Sequence, residues 1–509
     1  MAFVAKKITK SLFSKNVVII SLCITYFVVR IFKITQLPIF NDEAIYLNWG
    51  YKSLHSQNSL FYSLFDAKQP LLVWIFGISE LFISEPLMSG RLISVAAGFL
   101  TLSGIYFLGK EFFNKKIALV AVVFYIITPL FVFFDRQALM ESAIAAIYVW
   151  SCYAFVKLGE KQLLKWSFVL GIVVGVGFLI KSNSLIFIIT AVILSVLRLF
   201  STKNGKNRIV KNVVYAFFVA ILINVIVFTQ QAFWQTLQTN NRYSLTITEF
   251  LSFPFSHWLK NSKNLLEIGF WHITPIVFIV ALLTSFFILK KESGQKKMIV
   301  YWFFVNILLL IVVSRTLSAR YVISFFPIIP LFFSYGIFLL WKKQKILSCL
   351  VIILGGNIAV GFTHLLLFFP LSYFSTLNRF TIFSQKNEYV TDWPAGFGIN
   401  ETVVMLKKIS QNKKIYVGVR PDSGNPEDAI FAYFNTSGYV KPTYVSAQLI
   451  KPWIKDNCVQ TNREFYFVSR DNQLAGLESM IEKKIGKIYK PEGKSFIALY
   501  KLKTKCKIK

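Results

Sequence analysis

Two adjacent carboxylates stand just beyond an apolar run in Asn41-Asp42-Glu43-Ala44-Ile45-Tyr46, where burial is costly unless the acids are paired or used. A positioned carboxylate can take a proton from a hydroxyl. The same residues also suit a helix start, with Asn41 or Asp42 as cap and Glu43 in the first turn. Lys68-Gln69-Pro70 places a cation before a proline that opens an apolar stretch. That suits an anionic headgroup or a lysine reaching for the membrane surface. In Phe134-Asp135-Arg136-Gln137-Ala138-Leu139-Met140-Glu141, Asp135 and Arg136 can pair with each other, while Glu141 lies deeper and needs a partner or a function. Lys181, within Ile180-Lys181-Ser182-Asn183-Ser184, and Arg315 and Arg320, before Tyr321, add cations, as do Arg91 and Arg242. A cluster of such cations suits a phosphate, although each alone reads as a loop residue. The four histidines (His55, His257, His272, His364) show no metal-ligand spacing, and no Gly-x-Ser-x-Gly, Walker A or Rossmann motif is present. Hydrolase, ATPase and dehydrogenase chemistries therefore lose support.

The elements that must hold these residues are membrane helices. The chain has 509 residues, of which 55% are hydrophobic and 16% charged, with 52 phenylalanines. Its mean hydropathy is +0.56. Apolar runs of membrane length recur, beginning with Val17–Val29 behind Lys6, Lys7, Lys10 and Lys15. No small-residue cleavage site follows that run, so it is expected to stay as an uncleaved span. Further runs at 87–108, 117–134, 138–156, 166–180, 184–197, 212–230, 268–289, 298–313, 321–340 and 346–369 give about eleven spans. With the N-terminus inside, six inner segments hold 22 of the 34 Lys and Arg in residues 1–370. This is the positive-inside pattern, and it explains the net charge of +32 without nucleic acid, for which no binding motif is present. Nine of the twelve carboxylates in that stretch fall on the outer side; only Glu111, Glu160 and Glu292 are inner. The same parity makes 35–86 an outer loop with two interfacial or re-entrant helices, because a further span at Pro70–Phe82 would invert every later loop.

After Pro370 the composition changes. Residues 371–509 hold 22 Lys and Arg and 12 Asp and Glu without a membrane-length apolar run. Short strand-like runs at Lys414–Val419, Pro442–Ser446, Glu464–Ser469 and Phe496–Leu502 alternate with helical stretches near 400–410, 427–436 and 474–484. The expected domains are therefore 1–370 in the membrane and 371–509 as a small extracytoplasmic α/β domain. Cys23, Cys152 and Cys349 lie in apolar runs; Cys458 and Cys506 leave room for one disulfide in the tail.

Taken in order, these motifs resemble the polyprenyl-phosphate-dependent GT-C glycosyltransferases. The nearest likeness is to the protein O-mannosyltransferase and lipid A aminoarabinose transferase group, glycosyltransferase family 39. The acidic pair opening the first outer loop matches Asp42-Glu43, with Tyr46 three residues on. The Lys-Pro-Pro segment matches Lys68-Gln69-Pro70, with glutamine for one proline. Arg-Leu before the second span matches Arg91-Leu92, and Arg-x-x-x-x-acid matches Arg136 to Glu141, with glutamate where aspartate is usual. Leu-x-Lys matches Leu179-Ile180-Lys181, and the late Arg-Tyr motif matches Arg320, Tyr321 and Pro327.

The resemblance implies an inverting transfer from a polyprenyl-phosphate sugar to a hydroxyl of a protein, lipid or glycan at the outer face. Asp42 would be the base, with Glu43 and Glu141 orienting the acceptor or holding the site. Lys68, Lys181 and Arg320 would meet the donor phosphate, with Arg91 structural or accessory there, and Tyr46, Arg136 and Tyr321 would line the substrate. A divalent metal assists some relatives and not others. The implied setting is multi-pass in a bacterial-type plasma membrane, with a cytoplasmic N-terminus and an extracytoplasmic C-terminal domain. The alternative is a multi-span lipid or sugar transporter or flippase, which calls for inverted repeats and midplane charges; neither is visible.

Overall fold

The computed structural model describes residues 15–158, 163–201, 206–239, 242, 244–411, 413–446, 448–458, 463–474, 476–493 and 495–503. Lys6, Lys7, Lys10, Glu160 and Cys506 lie outside these residues. The chain forms two compact units: one of Met1–Phe32, Ser63–Leu72 and Ser94–Phe369, the other of Lys33–Tyr62, Val73–Ile93 and Pro370–Lys509. Residues 35–86, expected as an outer loop, are thus shared between them in sequence, and most of them group with the tail.

The first unit is helical. Among the described residues, six helices are long and apolar enough to cross a membrane: Pro86–Phe112, Ser182–Phe200, Asn207–Phe228, Gln295–Val313, Phe326–Lys343 and Lys345–Phe368. Val17–Ile31 and Leu164–Ile180 are apolar but shorter. Proline accounts for part of the difference from eleven, because it lacks the N–H that would continue a helix. The run at 117–134 divides at Pro129 into Lys115–Ile127 and Pro129–Phe134, and the run at 268–289 divides at Pro275. Only 22% of the apolar window of Lys345–Phe368 is buried, leaving Ile346, Leu350, Ile353, Leu354 and Val360 exposed. Lipid is the solvent in which such a face is stable. Small residues let neighbouring helices approach: a Cβ on Gly171 would lie 2.5 Å from the Ala216 carbonyl, and one on Gly175 3.0 Å from Ala220 Cα.

The second unit is built on a five-stranded sheet in the order β2-β1-β3-β5-β4. The strands are β1 (Ile415–Val419), β2 (Val440–Tyr444), β3 (Glu464–Arg470), β4 (Ile481–Tyr489) and β5 (Phe496–Leu502). β1 pairs in parallel with β2 and β3; β5 runs antiparallel to β3 and β4. Helices Glu427–Phe434 and Ile450–Asn457 provide the parallel crossovers. The helix expected near 474–484 is instead a single turn at Glu478–Met480 followed by strand β4. Its Glu-Lys spacing suits a helix, but β4 is an exposed edge strand with two register shifts, held by pairing with β5 rather than by its own propensity. Cys458 is disulfide-bonded.

Helix Asn41–His55 belongs to this second unit and packs on helix Glu427–Phe434. The Lys52 ammonium lies 5.1, 5.1 and 4.8 Å from the ring centroids of Tyr62, Phe431 and Tyr444. One turn closer to the helix start, buried Asn48 donates to Asp428 Oδ1 at 2.5 Å. Beside Asp428, Glu427 is fully buried. Burial pushes its carboxyl up to about 7, against the pull of its own backbone N–H and of Arg470.

The folded chain therefore holds the Glu427 proton more tightly than the unfolded chain, and stability falls as pH rises from the ordinary carboxylate range through 7. The predicted loss is on the order of 3 kcal/mol, at 1.36 kcal/mol per unit. Thermal unfolding of the purified protein at pH 5 and pH 8 checks this: Glu427→Gln should flatten the slope, and an equal slope in both proteins would refute it.

Candidate active site

In the second unit, helix Asn41–His55 begins with its acids in the first turn, where the helix dipole favours them. Glu43 reaches back to accept the Phe40 N–H at 2.8 Å. Its carboxylate also takes two parallel bonds from Arg91, Nε to Oε1 at 2.8 Å and Nη2 to Oε2 at 2.7 Å, with both side chains fully buried. The remaining Arg91 N–H groups meet the carbonyls of Ile34 (2.7 Å), Leu37 (2.8 Å) and Pro38 (3.3 Å). All five guanidinium N–H groups therefore meet oxygens of this one segment. Arg91, expected at the donor phosphate, is placed as the clasp of the segment leading into the helix, and Glu43 as its counterpart. Asp42 differs: it is half-buried and accepts from Asn41 Nδ2 at 3.1 Å. Tyr46 is buried, its ring 6.4 Å from that of Trp49, which places it in the core of the unit.

In the first unit, Glu141 opens helix Glu141–Leu158 and is fully buried. Its Oε1 accepts from Lys181 Nζ at 3.0 Å and from Arg320 Nε at 3.1 Å. Lys181 sits between helix Leu163–Ile180 and the turn Ser182–Ser184, with its ammonium 5.3 Å from the Tyr321 ring centroid. Burial lowers the Lys181 pKa, Glu141 opposes the shift, and the positive charges of Arg320 and Lys68 add to it. Lys181 and Arg320 thus share one carboxylate oxygen, and the charge of Lys68 acts on Lys181. Clustered cations of this kind can bind an anion such as a phosphate.

A third cluster contains a residue the sequence reading did not single out. Arg30, fully buried, bonds Asp135 Oδ2 at 3.1 Å and the carbonyls of Ile126 and Tyr125 at 2.6 and 3.1 Å. Tyr125 and Ser142 also donate to Asp135. Asp135 therefore turns to Arg30 rather than to its neighbour Arg136. Arg136, expected to line the substrate, donates to the carbonyls of Val29 and Phe32 at 3.1 and 2.7 Å, at the end of the first helix. The available signal was Arg30 itself, a guanidinium closing an apolar helix, which needs a partner in lipid. Among the described residues, no group of three or more His, Cys, Asp or Glu is placed to hold a metal ion.

The fold matches ArnT from Cupriavidus metallidurans in its apo state, with a TM-score of 0.61 at 12% identity over 97% of this chain and 98% of that one. The same protein bound to undecaprenyl phosphate gives 0.61 at 13%, covering 97% and 99%. The chain has the GT-C glycosyltransferase fold. An Archaeoglobus fulgidus oligosaccharyltransferase in complex with Zn and sulfate shares the GT-C fold more distantly, with a TM-score of 0.51 at 12% identity over 89% of this chain and 67% of that one. Residues 67–234 match the family described as dolichyl-phosphate-mannose-protein mannosyltransferase. That stretch includes Lys68, Arg91, Arg136, Glu141 and Lys181. No curated protein matches the chain in sequence.

Breaking the Glu43–Arg91 pair from one side strands a buried charge. Arg91→Met is expected to lose about 3–5 kcal/mol, read as a drop in thermal midpoint in detergent. The double variant Glu43→Gln/Arg91→Met should recover part of that loss, and a double variant as unstable as the sum of the singles would contradict the pairing.

Proposed function

We propose that this protein transfers a sugar from a polyprenyl-phosphate donor to a hydroxyl acceptor, with inversion at the anomeric carbon. The observation that carries the proposal is the gathering of cations at Glu141, where Lys181 and Arg320 share one carboxylate oxygen and the charge of Lys68 acts on Lys181. The fold shared with ArnT, which has been seen with undecaprenyl phosphate, supports a lipid phosphate as the anion. So does the match of residues 67–234 to the dolichyl-phosphate-mannose-protein mannosyltransferases.

In the proposed reaction the acceptor oxygen attacks the anomeric carbon while its proton passes to Asp42. The new glycosidic C–O bond forms as the bond from the anomeric carbon to the phosphate oxygen breaks. The polyprenyl phosphate leaves with the bonding electron pair and gains negative charge. Fixed cations aimed at that charge lower the barrier by roughly 3–4 kcal/mol for each well-placed donor. Lys68, Lys181 and Arg320 are assigned that task. Glu141 holds two of them in place, so their side chains are ordered before the donor binds. Outer-face transfer and an extracytoplasmic tail belong to the same proposal and rest on the charge bias of the short loops.

The test is a transfer assay in membranes with a panel of radiolabelled polyprenyl-phosphate sugars. Wild type is expected to move label off the polyprenol, and Asp42→Asn to abolish the movement at equal expression. Lys181→Met should lower kcat by roughly 100- to 1,000-fold, as loss of a transition-state donor does. Full activity in Asp42→Asn would remove Asp42 as the base; full activity in Lys181→Met would remove the cation cluster from the leaving-group role.

A further inference from the structure

We propose that the Gly424-Asn425 turn of the C-terminal domain positions the Asp42 carboxylate, making Asn425 a positioning residue for proton transfer. The inference rests on the reading of Asp42 as the base and extends it to residues far along the chain.

The tail holds both ends of Asn41, the residue before Asp42. Its main-chain N–H donates to the Pro394 carbonyl at 3.0 Å. Its side-chain Oδ1 accepts the Asn425 main-chain N–H at 3.0 Å. An amide whose oxygen is committed to a main-chain donor has its other end fixed as the N–H₂ group. That group donates to Asp42 Oδ1 at 3.1 Å. The orientation of Asn41, and through it one hydrogen bond to Asp42, is therefore set by residues nearly 400 positions downstream.

The turn that does this is itself secured. Asn425 Nδ2 donates to the carbonyls of Ile39 and Pro394 at 3.0 and 2.9 Å, tying the residues before Asn41 to the same support. The Gly424 N–H donates to Asp428 Oδ2 at 2.6 Å, and Asp428 in turn accepts from Asn48 on the Asp42 helix. Gly424 has a φ of +105°, and a Cβ there would lie 1.6 Å from Asn41 Oδ1, so only glycine permits this approach. Buried Lys490 donates to the carbonyls of Asp392 (2.9 Å), Trp393 (3.0 Å) and Ala395 (2.7 Å), which stiffens the turn carrying Pro394.

A donor held on a carboxylate favours its ionised form, the form a base must have. Losing the donor, or letting it wander, raises the pH at which Asp42 becomes competent. A merely structural role would lower the amount of folded protein, or the rate at every pH alike, without moving the titration.

The experiment measures kcat/KM against pH for release of sugar from the radiolabelled polyprenyl-phosphate donor in membranes. It compares wild type with Asn425→Ala and Asn41→Asp. Asn41→Asp keeps an oxygen for the Asn425 N–H but replaces the donor to Asp42 with a second acid, so it isolates the hydrogen bond and serves if Asn425→Ala fails to fold. The acidic limb is expected to move up by roughly one pH unit in Asn425→Ala, and at least as far in Asn41→Asp. A limb at its wild-type position in the folded variants overturns the inference while leaving the glycosyltransferase reading intact. Absence of transfer by wild type from every donor, or full transfer by Asp42→Asn, overturns the assigned base and this inference with it.

Discussion

The pair of hydrogen bonds from Arg91 to Glu43 is the interaction on which the candidate chemistry of the second unit depends. Two charges fully buried in an apolar setting are tolerable only when geometry and further hydrogen bonds offset their lost hydration. Here the guanidinium also gathers the carbonyls of Ile34, Leu37 and Pro38, so three carbonyls of the irregular segment leading into helix Asn41–His55 are satisfied from one side chain. With that segment fixed, Glu43 is committed and its neighbour Asp42 is left half-buried at the helix start. The acidic pair thus divides into one fully buried member committed to Arg91 and one half-buried member.

The same logic recurs in the first unit with a different outcome. At Asp135 the positive charge of Arg30 balances the acid, and hydroxyls of Tyr26, Tyr125 and Ser142 donate to it. At Glu141 one buried carboxylate oxygen accepts from both Lys181 and Arg320, and the charge of Lys68 acts on Lys181.

Much of this was legible from the residues. The membrane class follows from apolar runs and loop charge, and the roles of Lys181, Glu141 and Arg320 as a charged group follow from acids and bases that apolar helices cannot leave alone. Local pattern also located strands β1, β3 and β5 and the helices Ile399–Ile409 and Glu427–Phe434. It could not locate β4, whose Glu-Lys sequence looks helical and whose extended form depends on β5, nor helix Ile450–Asn457, whose eight residues carry little periodic signal. The commitment of Arg91 to Glu43 and of Arg136 to the carbonyls of Val29 and Phe32 was equally hidden, because a motif marks which residues recur together and not which oxygen each meets. Asn425 was beyond reach for a simpler reason: nothing near it in sequence hints that its partner is Asn41.

That separation has a consequence for the order of events on the ribosome. Asn41 emerges 384 positions ahead of Asn425. Throughout that interval the helix bearing Asp42 lacks the sheet domain that completes its packing, and contacts of such high sequence separation form late. The nascent chain can insert its helices one after another, but the unit that holds Asp42 matures in a single closing step once the tail has been made. Ordering of this carboxylate is thereby tied to synthesis of the distant segment that carries Asn425.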